Sequence, residues 1–444
     1  MKVCLIHPPQ PNSLDDRLDI PLGQLYLATV LRKAGYETRV LDLSSIPMKR
    51  WADLIGWADV YGFTIYTPSY YICKEMLKLA KQNNPGAISV AGGAHPSALP
   101  EETLKDFDYV VIGEGEYALR DLVTNLASGK PPESRIIRCP LISNLDELPC
   151  PDLGLIDIHS YNRKVDGQLS LSFVTSRGCP NTCAFCCNFM FGKKIRFRHL
   201  DNVINELSLI KSKYGVRNFI FYDDTMTLDR VRVREMSKRF KQLDIRFRAN
   251  GTVRVNDPEV YEDLYAAGCR NIAFGVETGS QELLRKMKKH TTVEQIKKAI
   301  KNAKAAGLIV KVFLIVGFPG ETYQTIQDTA DLMLECRPHQ YTLFNFVPFP
   351  GCDVWNNPQN YGIIYFEKNY EQYFNIAGYQ EGGLTVETEN MKRADVKKMR
   401  EKLLESLCQL DWSGDVQNYQ YKLQPKYTPH APQSPQNPLK QNNP

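Results

Sequence analysis

The chain has 444 residues, enough for two or three domains with cores of their own, and its 43% hydrophobic and 24% charged content excludes a disordered or fibrous protein. A net charge of +5, from 55 basic and 50 acidic residues, is too small to argue for a nucleic-acid partner. The longest apolar run, 308–318, is broken by Lys311 and falls short of the roughly 20 residues a membrane helix needs, so no transmembrane segment is expected. The first residues read as a short strand followed by prolines rather than a leader. Twelve scattered cysteines read as reduced thiols, which sets the expected compartment as cytoplasmic.

From residue 1 to about 126 the chain alternates strand and helix signals. Strands are expected at 2–6, 38–43, 60–66, 87–91 and 109–112, with a helix at 22–33 closed by Gly35. Each gap is long enough for a crossover helix, so the sheet should be parallel and doubly wound, with ligands at the strand carboxyl ends. The residues there are His7-Pro8-Pro9, Thr64 with Thr67 and Ser69, Gly92-Gly93 ahead of His95, and Gly113-Glu114-Gly115-Glu116. Glycine lets backbone approach a ligand closely, and hydroxyls can bond its periphery. No G-x-G-x-x-G follows the first strand, so this is not a dinucleotide fingerprint. Residues 131–168 are proline-rich and read as a linker, in which Cys139 and Cys150 are taken as structural.

An apolar run at 169–174 then leads into Thr175-Ser-Arg-Gly-Cys-Pro-Asn-Thr-Cys-Ala-Phe-Cys-Cys187. Cys179, Cys183 and Cys186 stand in a C-x-x-x-C-x-x-C spacing on one loop. Thiolates so placed select zinc or an iron-sulfur cluster over hard cations. Zinc wants a fourth ligand, and none follows at a useful spacing, whereas a 4Fe-4S cluster on three cysteines keeps one iron open. Cys187 is read as a bystander.

A second α/β series follows, with strands expected at 171–174, 218–222, 245–249, 271–276, 310–316 and 340–347 and helices between them. Chemistry in such series gathers at strand carboxyl ends. Asp223 and Asp224 stand at one end, where either could instead cap the next helix. Glu277, between a buried strand and a glycine turn, is hard to explain by packing alone. Gly317 opens the turn Gly317-Phe-Pro-Gly-Glu321, in which Glu321 reads as a helix start. Arg248 and Arg254 are carboxylate clamps or surface ion pairs. The basic run Arg285, Lys286, Lys288, Lys289, Lys297, Lys298, Lys301 and Lys304 reads as a solvated helix face. Residues 365–389 lack periodicity and are expected over the mouth of the second unit. Residues 393–410 carry Val396, Met399, Leu403, Leu404 and Leu407 at helical intervals, and the Gln/Asn/Pro-rich tail 413–444 is expected to be disordered.

The cysteine loop, with Phe185 before its third cysteine, resembles that of radical S-adenosylmethionine (SAM) enzymes. Residues 1–130 resemble the Rossmann-like cobalamin-binding domain found ahead of many of them. The resemblance implies an α/β protein in which that domain and the 131–168 linker precede a partial (β/α)6 TIM barrel at 169–363 and a C-terminal cap and helical region at 364–412. It implies a 4Fe-4S cluster on Cys179, Cys183 and Cys186. SAM would lie near Phe185, Asp223, Asp224, Glu277 and Gly317, and cobalamin near Pro8, Pro9, Thr64, Thr67, Ser69, Gly92, Gly93, Gly113, Glu114, Gly115 and Glu116. Corrinoid proteins that place a histidine under cobalt carry D-x-H-x-x-G after the first strand. Here Leu18 and Pro21 stand at the histidine and first glycine positions, so no histidine is expected from that loop.

The implied reaction is reductive cleavage of SAM to a 5'-deoxyadenosyl radical, followed by methylation of an unactivated carbon in a small-molecule, lipid or peptide substrate. It calls for an external one-electron reductant of flavodoxin or ferredoxin type. A radical oxidative cyclase of the same layout, an RNA-modifying methylthiotransferase-like enzyme and a non-catalytic corrinoid or iron-sulfur sensor are the alternatives. The second would carry a further cysteine set in the first domain, which holds only Cys4 and Cys73.

Overall fold

In the first third of the chain, runs rich in Val, Ile and Leu form strands buried on both faces, the pattern of a parallel sheet between helix layers. The computed structural model describes residues 1–10, 13, 15–374 and 383–408. The strands are β1 (Lys2–His7), β2 (Glu37–Asp42), β3 (Val60–Thr64), β4 (Ile88–Gly92), β5 (Tyr109–Ile112) and β6 (Ile136–Arg138). They pair in parallel in the order β2-β1-β3-β4-β5-β6, so the winding reverses beside β1 and opens a crevice at the carboxyl edge. β6 corrects the linker expected at 131–168. Its three residues, too few to show a period, pair with β5 and extend the first sheet.

The second sheet has the order β15-β14-β13-β12-β11-β8-β7. Its members are β7 (Lys164–Val165), β8 (Gln168–Phe173), β11 (Asn218–Phe221), β12 (Arg246–Gly251), β13 (Cys269–Glu277), β14 (Ile309–Val316) and β15 (Gln340–Asn345). Six strands run parallel as expected, and β7 adds a short antiparallel edge. The sheet curls into a half barrel with alternating faces. On β14, Val310, Val312, Leu314 and Val316 are fully buried, while Lys311 and Phe313 on the other face are only partly so. Between β8 and β11 a small hairpin, β9 (Ser176–Arg177) with β10 (Arg196–Phe197), carries the cysteine loop as its excursion.

A hairpin of β16 (Ile363–Phe366) and β17 (Val386–Thr388) precedes the helix Arg393–Leu407. This helix buries Val396, Met399, Leu403 and Leu407 against the half barrel, the face read from periodicity. The expected disordered tail 413–444 and residues 375–382 over the mouth lie outside the described residues. Among the described residues no helix is long and apolar enough to cross a membrane.

The two units share a core, since Ile20 and Leu25 of the first pack in one cluster with Leu153, Leu171 and Phe173. Polar contacts fix the angle. Asp19 accepts from Arg163 at 2.5 Å, from Tyr222 at 2.8 Å and from Ser172 at 3.3 Å. Arg17 donates to Ser160 and to the Ser44 carbonyl. The loop that lacks a histidine thus serves as the clamp between the units.

Candidate active site

The cysteine loop is held from several sides. Gly178, with φ +98°, lies so close to the Lys194 carbonyl that a side chain there would collide with it. Fully buried Ala184 receives a backbone bond from Val354 (3.1 Å) and donates one to Met287 (2.8 Å). Asn181 donates to the Cys179 sulfur at 3.4 Å and is itself held by Arg254 at 3.0 Å. Arg254 is therefore a tether of this loop rather than a carboxylate clamp.

Cys179 is buried, Cys183 half-buried and Cys186 accessible but hemmed in. Burial, followed by the charges of Cys183, Asp224 and Cys179, pushes the Cys186 thiol up to about 12. Burial raises Cys183 as well, and the nearby Lys289 charge opposes this. Three sulfurs that repel one another as thiolates are a donor set that cationic iron would relieve, which fits an iron-sulfur cluster. Among the described residues no three His, Cys, Asp or Glu side chains converge on a point one metal ion could fill. Cys187 faces away from this set. Its thiol donates toward the Phe349 and Pro350 carbonyls, at 3.6 and 3.5 Å.

Glu277 ends β13 on a bulge, where pairing with β14 shifts between Gly275 and Glu277. Its φ is +68°, a conformation that costs a non-glycine residue on the order of 1–3 kcal/mol and persists only where its surroundings impose it. Lys289 supplies that restraint, with Nζ 2.6 Å from Glu277 Oε1 and 5.7 Å from the Phe185 ring. Lys289 is delivered from Lys288-Lys289-His290, whose first and last members also have positive φ. Gly275 makes room, because a Cβ there would strike Glu277 Oε1 and stand 2.7 Å from Lys289 Nζ. The solvated-face reading of the basic run is thus corrected at Lys289, whose side chain is only 16% exposed. Glu277 and Asn345 are the polar lining of a cavity of about 230 Å³ otherwise walled by Phe185, Phe313, Ile315, Phe344, Phe346, Val347 and Phe349.

A second cavity, of about 150 Å³, lies at the carboxyl edge of the first sheet. Leu5, Val90, Val111 and Leu119 make it apolar, and Thr64, Gly92, Gly93, Gly113, Glu114, Gly115 and Glu116 edge it. Gly62, overlooked in the sequence, also lines it, and a Cβ there would press on Leu5 at 2.7 Å. The first helix adds Gly23, Gln24 and Leu27, and the hairpin that bears the cysteines closes one side with Arg177, Met190 and Phe191. This apolar slot with glycine edges fits a flat ring system of the kind a corrinoid carries.

Glu114 and Glu116 do more than edge this slot. Arg177 bonds Glu114 at 2.9 Å and Glu116 at 2.6 Å, and Arg196 bonds Glu114 at 2.7 Å, with all four side chains buried. The Arg177 guanidinium lies between the rings of Tyr26 and Phe191. Burial alone would raise Glu114, but hydrogen bonds from Arg196 and Arg177 outweigh it and hold the carboxyl below its ordinary range.

Other expected residues are placed differently. Asp223 is buried with both oxygens occupied by the Thr175 amide and hydroxyl and the Ser176 hydroxyl, so it anchors the start of the cysteine loop rather than facing a ligand. The following helix is capped by Asp229. Asp224 stands beside Gly178, where desolvation of its carboxyl by the surrounding loop, then the Asp223 charge, raises it. The space over the Gly317 Cα is filled by Val396, 2.7 Å from where a Cβ would stand, instead of by a ligand. Glu321 does not start the helix, which Thr322 caps; it is buried and accepts from the Gly317 amide, with burial pushing its carboxyl up to about 8. Pro8, Pro9, Thr67 and Ser69 are absent from the cavity lining. Ser69 closes its own turn onto Tyr66, and Thr67 meets His95 at 3.3 Å. His7 bonds Gln24 at 2.8 Å. Arg248 stands over the Phe313 ring inside the half barrel. Cys139 and Cys150 are exposed rather than part of a core.

Comparison with known proteins agrees with this geometry. The family model of the Radical SAM superfamily matches residues 173–333, and that of the B12 binding domain matches 20–123. The uncharacterized methyltransferase PH0819 of Pyrococcus horikoshii is 32% identical over 383 residues, covering 80% of this chain and 82% of its own. The anaerobic magnesium-protoporphyrin IX monomethyl ester cyclase of Rubrivivax gelatinosus is 28% identical over 390 residues, covering 80% and 69%. Among solved structures, the radical SAM methyltransferase TsrM of Kitasatospora setae, with cobalamin and a 4Fe-4S cluster bound, shares the fold at TM-score 0.65 and 19% identity over 90% of this chain and 81% of its own. The chain belongs to the radical SAM superfamily. Within it, it carries the B12-binding domain ahead of the half barrel, the architecture of the methyltransferases and cyclases it resembles.

Proposed function

We propose that the protein is a cobalamin-dependent radical SAM methyltransferase acting on an unactivated carbon of a small-molecule, lipid or peptide substrate, fed by a one-electron reductant of flavodoxin or ferredoxin type in a reducing cytoplasm. The observation that carries this reading is that one loop walls both cavities: Phe185 borders the slot with Glu277, while Arg177, Met190 and Phe191 border the slot of the first sheet. Cys179, Cys183 and Cys186 would hold the cluster, and the slot edged by Gly62, Gly92, Gly93 and Gly115 would hold the corrinoid. When bound, the cluster supplies the electron that cleaves SAM, and the corrinoid supplies a methyl group.

The chain's own residues then position and exclude. Lys289 holds Glu277 at the rim of the aromatic cavity, where the carboxylate suits an amino or hydroxyl donor of SAM. Phe313, Phe344, Phe346 and Phe349 keep water from the reacting carbon. No histidine is assigned under cobalt: Leu18 stands in the clamp loop, and neither His7 nor His95 lines the first cavity. Nitrogen superhyperfine splitting in the spectrum of bound cob(II)alamin would contradict that assignment.

Anaerobic incubation of the reconstituted protein with reductant, methyl-labelled SAM and candidate acceptors tests the reaction. The expected result is 5'-deoxyadenosine together with label in the acceptor. An oxidised or cyclised acceptor without label would favour the reading suggested by the Rubrivivax relative.

A further inference from the structure

The buried charges between the two cavities are more than a generic interdomain contact, because of where they attach. The cysteine loop leaves the half barrel through β9 and returns through β10, and each strand carries one arginine, Arg177 and Arg196. Both grip Glu114, and Arg177 also grips Glu116. Both carboxylates belong to the turn after β5 that edges the first cavity. The neck of the cluster-bearing loop is therefore fastened to the corrinoid slot as well as to its own barrel, where Asp223 holds Thr175 and Ser176. Arg177 is two residues from Cys179, while Phe191, whose carbonyl accepts from Arg196 at 2.9 Å, lies beyond Cys187 on the same excursion.

Two details give the slot a means of acting on this neck. Arg177 and Phe191 themselves line the slot, so an occupant packs against the neck. Glu116 also lines it, and its Oε2 is buried without a partner while Oε1 holds Arg177. A buried carboxylate oxygen left unpaired is costly, and a donor brought by an occupant would relieve it.

We propose that Arg177 is a positioning residue that couples the two cofactor sites: corrinoid in the first slot and the cluster on Cys179, Cys183 and Cys186 each strengthen the binding of the other through the Glu116–Arg177–Glu114–Arg196 bridge. The inference rests on the function proposed above. An empty slot leaves the neck joined to the first sheet by the ion pairs and the Tyr26 contact of Arg177; a filled one adds packing on Arg177 and Phe191, and so holds the three thiols in the arrangement the cluster needs. Reciprocity is required, because a coupling free energy has one value whichever ligand binds first.

Titration of the full chain with hydroxocobalamin, followed by absorbance in cluster-loaded and iron-stripped forms, tests this. Binding is expected to be tighter in the loaded form by about fivefold or more. Iron-stripped protein should in turn retain more iron and sulfide on reconstitution when hydroxocobalamin is present. In Arg177→Lys, and in Glu116→Gln, which removes a charge but keeps the shape should the arginine variant fail to fold, the ratio between the two forms should fall toward one while the loaded protein still binds corrinoid. A merely structural bridge would lower the melting temperature of these variants and leave the ratio unchanged, which would overturn the proposal. Equal affinity in both wild-type forms would overturn the coupling alone. Failure of both forms to bind hydroxocobalamin would overturn the functional reading and the coupling with it.

Discussion

The two cavities are built by opposite means. The slot at the first sheet is shaped largely by what is missing: glycines at 62, 92, 93, 113 and 115 open it between apolar side chains, with the Glu114, Glu116 and Arg177 ion pairs along one side. The slot at the half barrel is shaped by strained and charged side chains, with Glu277 in a left-handed conformation, Lys289 held against it and aromatic rings around both. An apolar slot selects by shape, so a substitution there acts through the space it fills. A strained ion pair depends on each of its members. The contrast teaches where the molecule is fragile, and substitutions on the two sides should differ accordingly.

The largest difference is expected within the loop they share. Alanine at Cys179, Cys183 or Cys186 should abolish iron and sulfide incorporation. Cys187→Ala should leave both unchanged, because the Cys187 thiol is engaged by the Phe349 and Pro350 carbonyls. Equal loss from Cys187 would overturn the ligand assignment.

Next comes the charged slot. Lys289→Ala strands Glu277 in a site that is 7% exposed. Removing one partner of a buried pair typically costs about 3–5 kcal/mol, so this variant should lose most SAM binding, measured by equilibrium dialysis. Gly275→Ala should weaken SAM binding at least about tenfold, equivalent to about 1.4 kcal/mol, because its Cβ displaces both members of the pair. On the glycine side, Gly93→Ala places a Cβ 2.9 Å from the Ile65 carbonyl at φ +104°. Urea unfolding should show a loss of about 1–3 kcal/mol with SAM affinity unchanged.

A last effect is one of pH. Burial raises the Glu321 carboxyl to about 8 in the folded chain, above its unfolded value near 4.3. The folded state therefore binds the extra proton, so the stabilising contribution is fully present below the unfolded value and is lost as pH rises toward 8. Unfolding of Glu321→Gln and of the parent across that window should show the parent losing stability relative to the variant as pH rises. A constant difference would mean that Glu321 titrates normally.

Legibility in the sequence followed the range of the interaction. The cysteine spacing, Glu277 before its glycine turn and both strand series are local patterns, and they could be read directly. Glu114 and Glu116 were seen only as turn residues edging a cofactor, because the arginines that bind them lie 61 to 82 residues away. Asp223 was misread for the same reason, its partners being 47 and 48 residues distant. Lys289 was concealed among solvated lysines, and only its place beside two strained residues distinguishes it. A signal existed for Arg177: a guanidinium in an otherwise small and apolar approach to the cysteines needs a carboxylate, and the turn after β5 held two. Gly62 could have been suspected as a lone glycine inside a strand, which often marks close approach of another group.

The central claim, that one loop is a wall of both slots, is tested most directly by hydrogen–deuterium exchange of peptides spanning residues 176–197 in the cluster-loaded protein. Hydroxocobalamin alone and SAM alone should each slow exchange in that segment. Protection of the segment by only one of the two ligands would contradict the account.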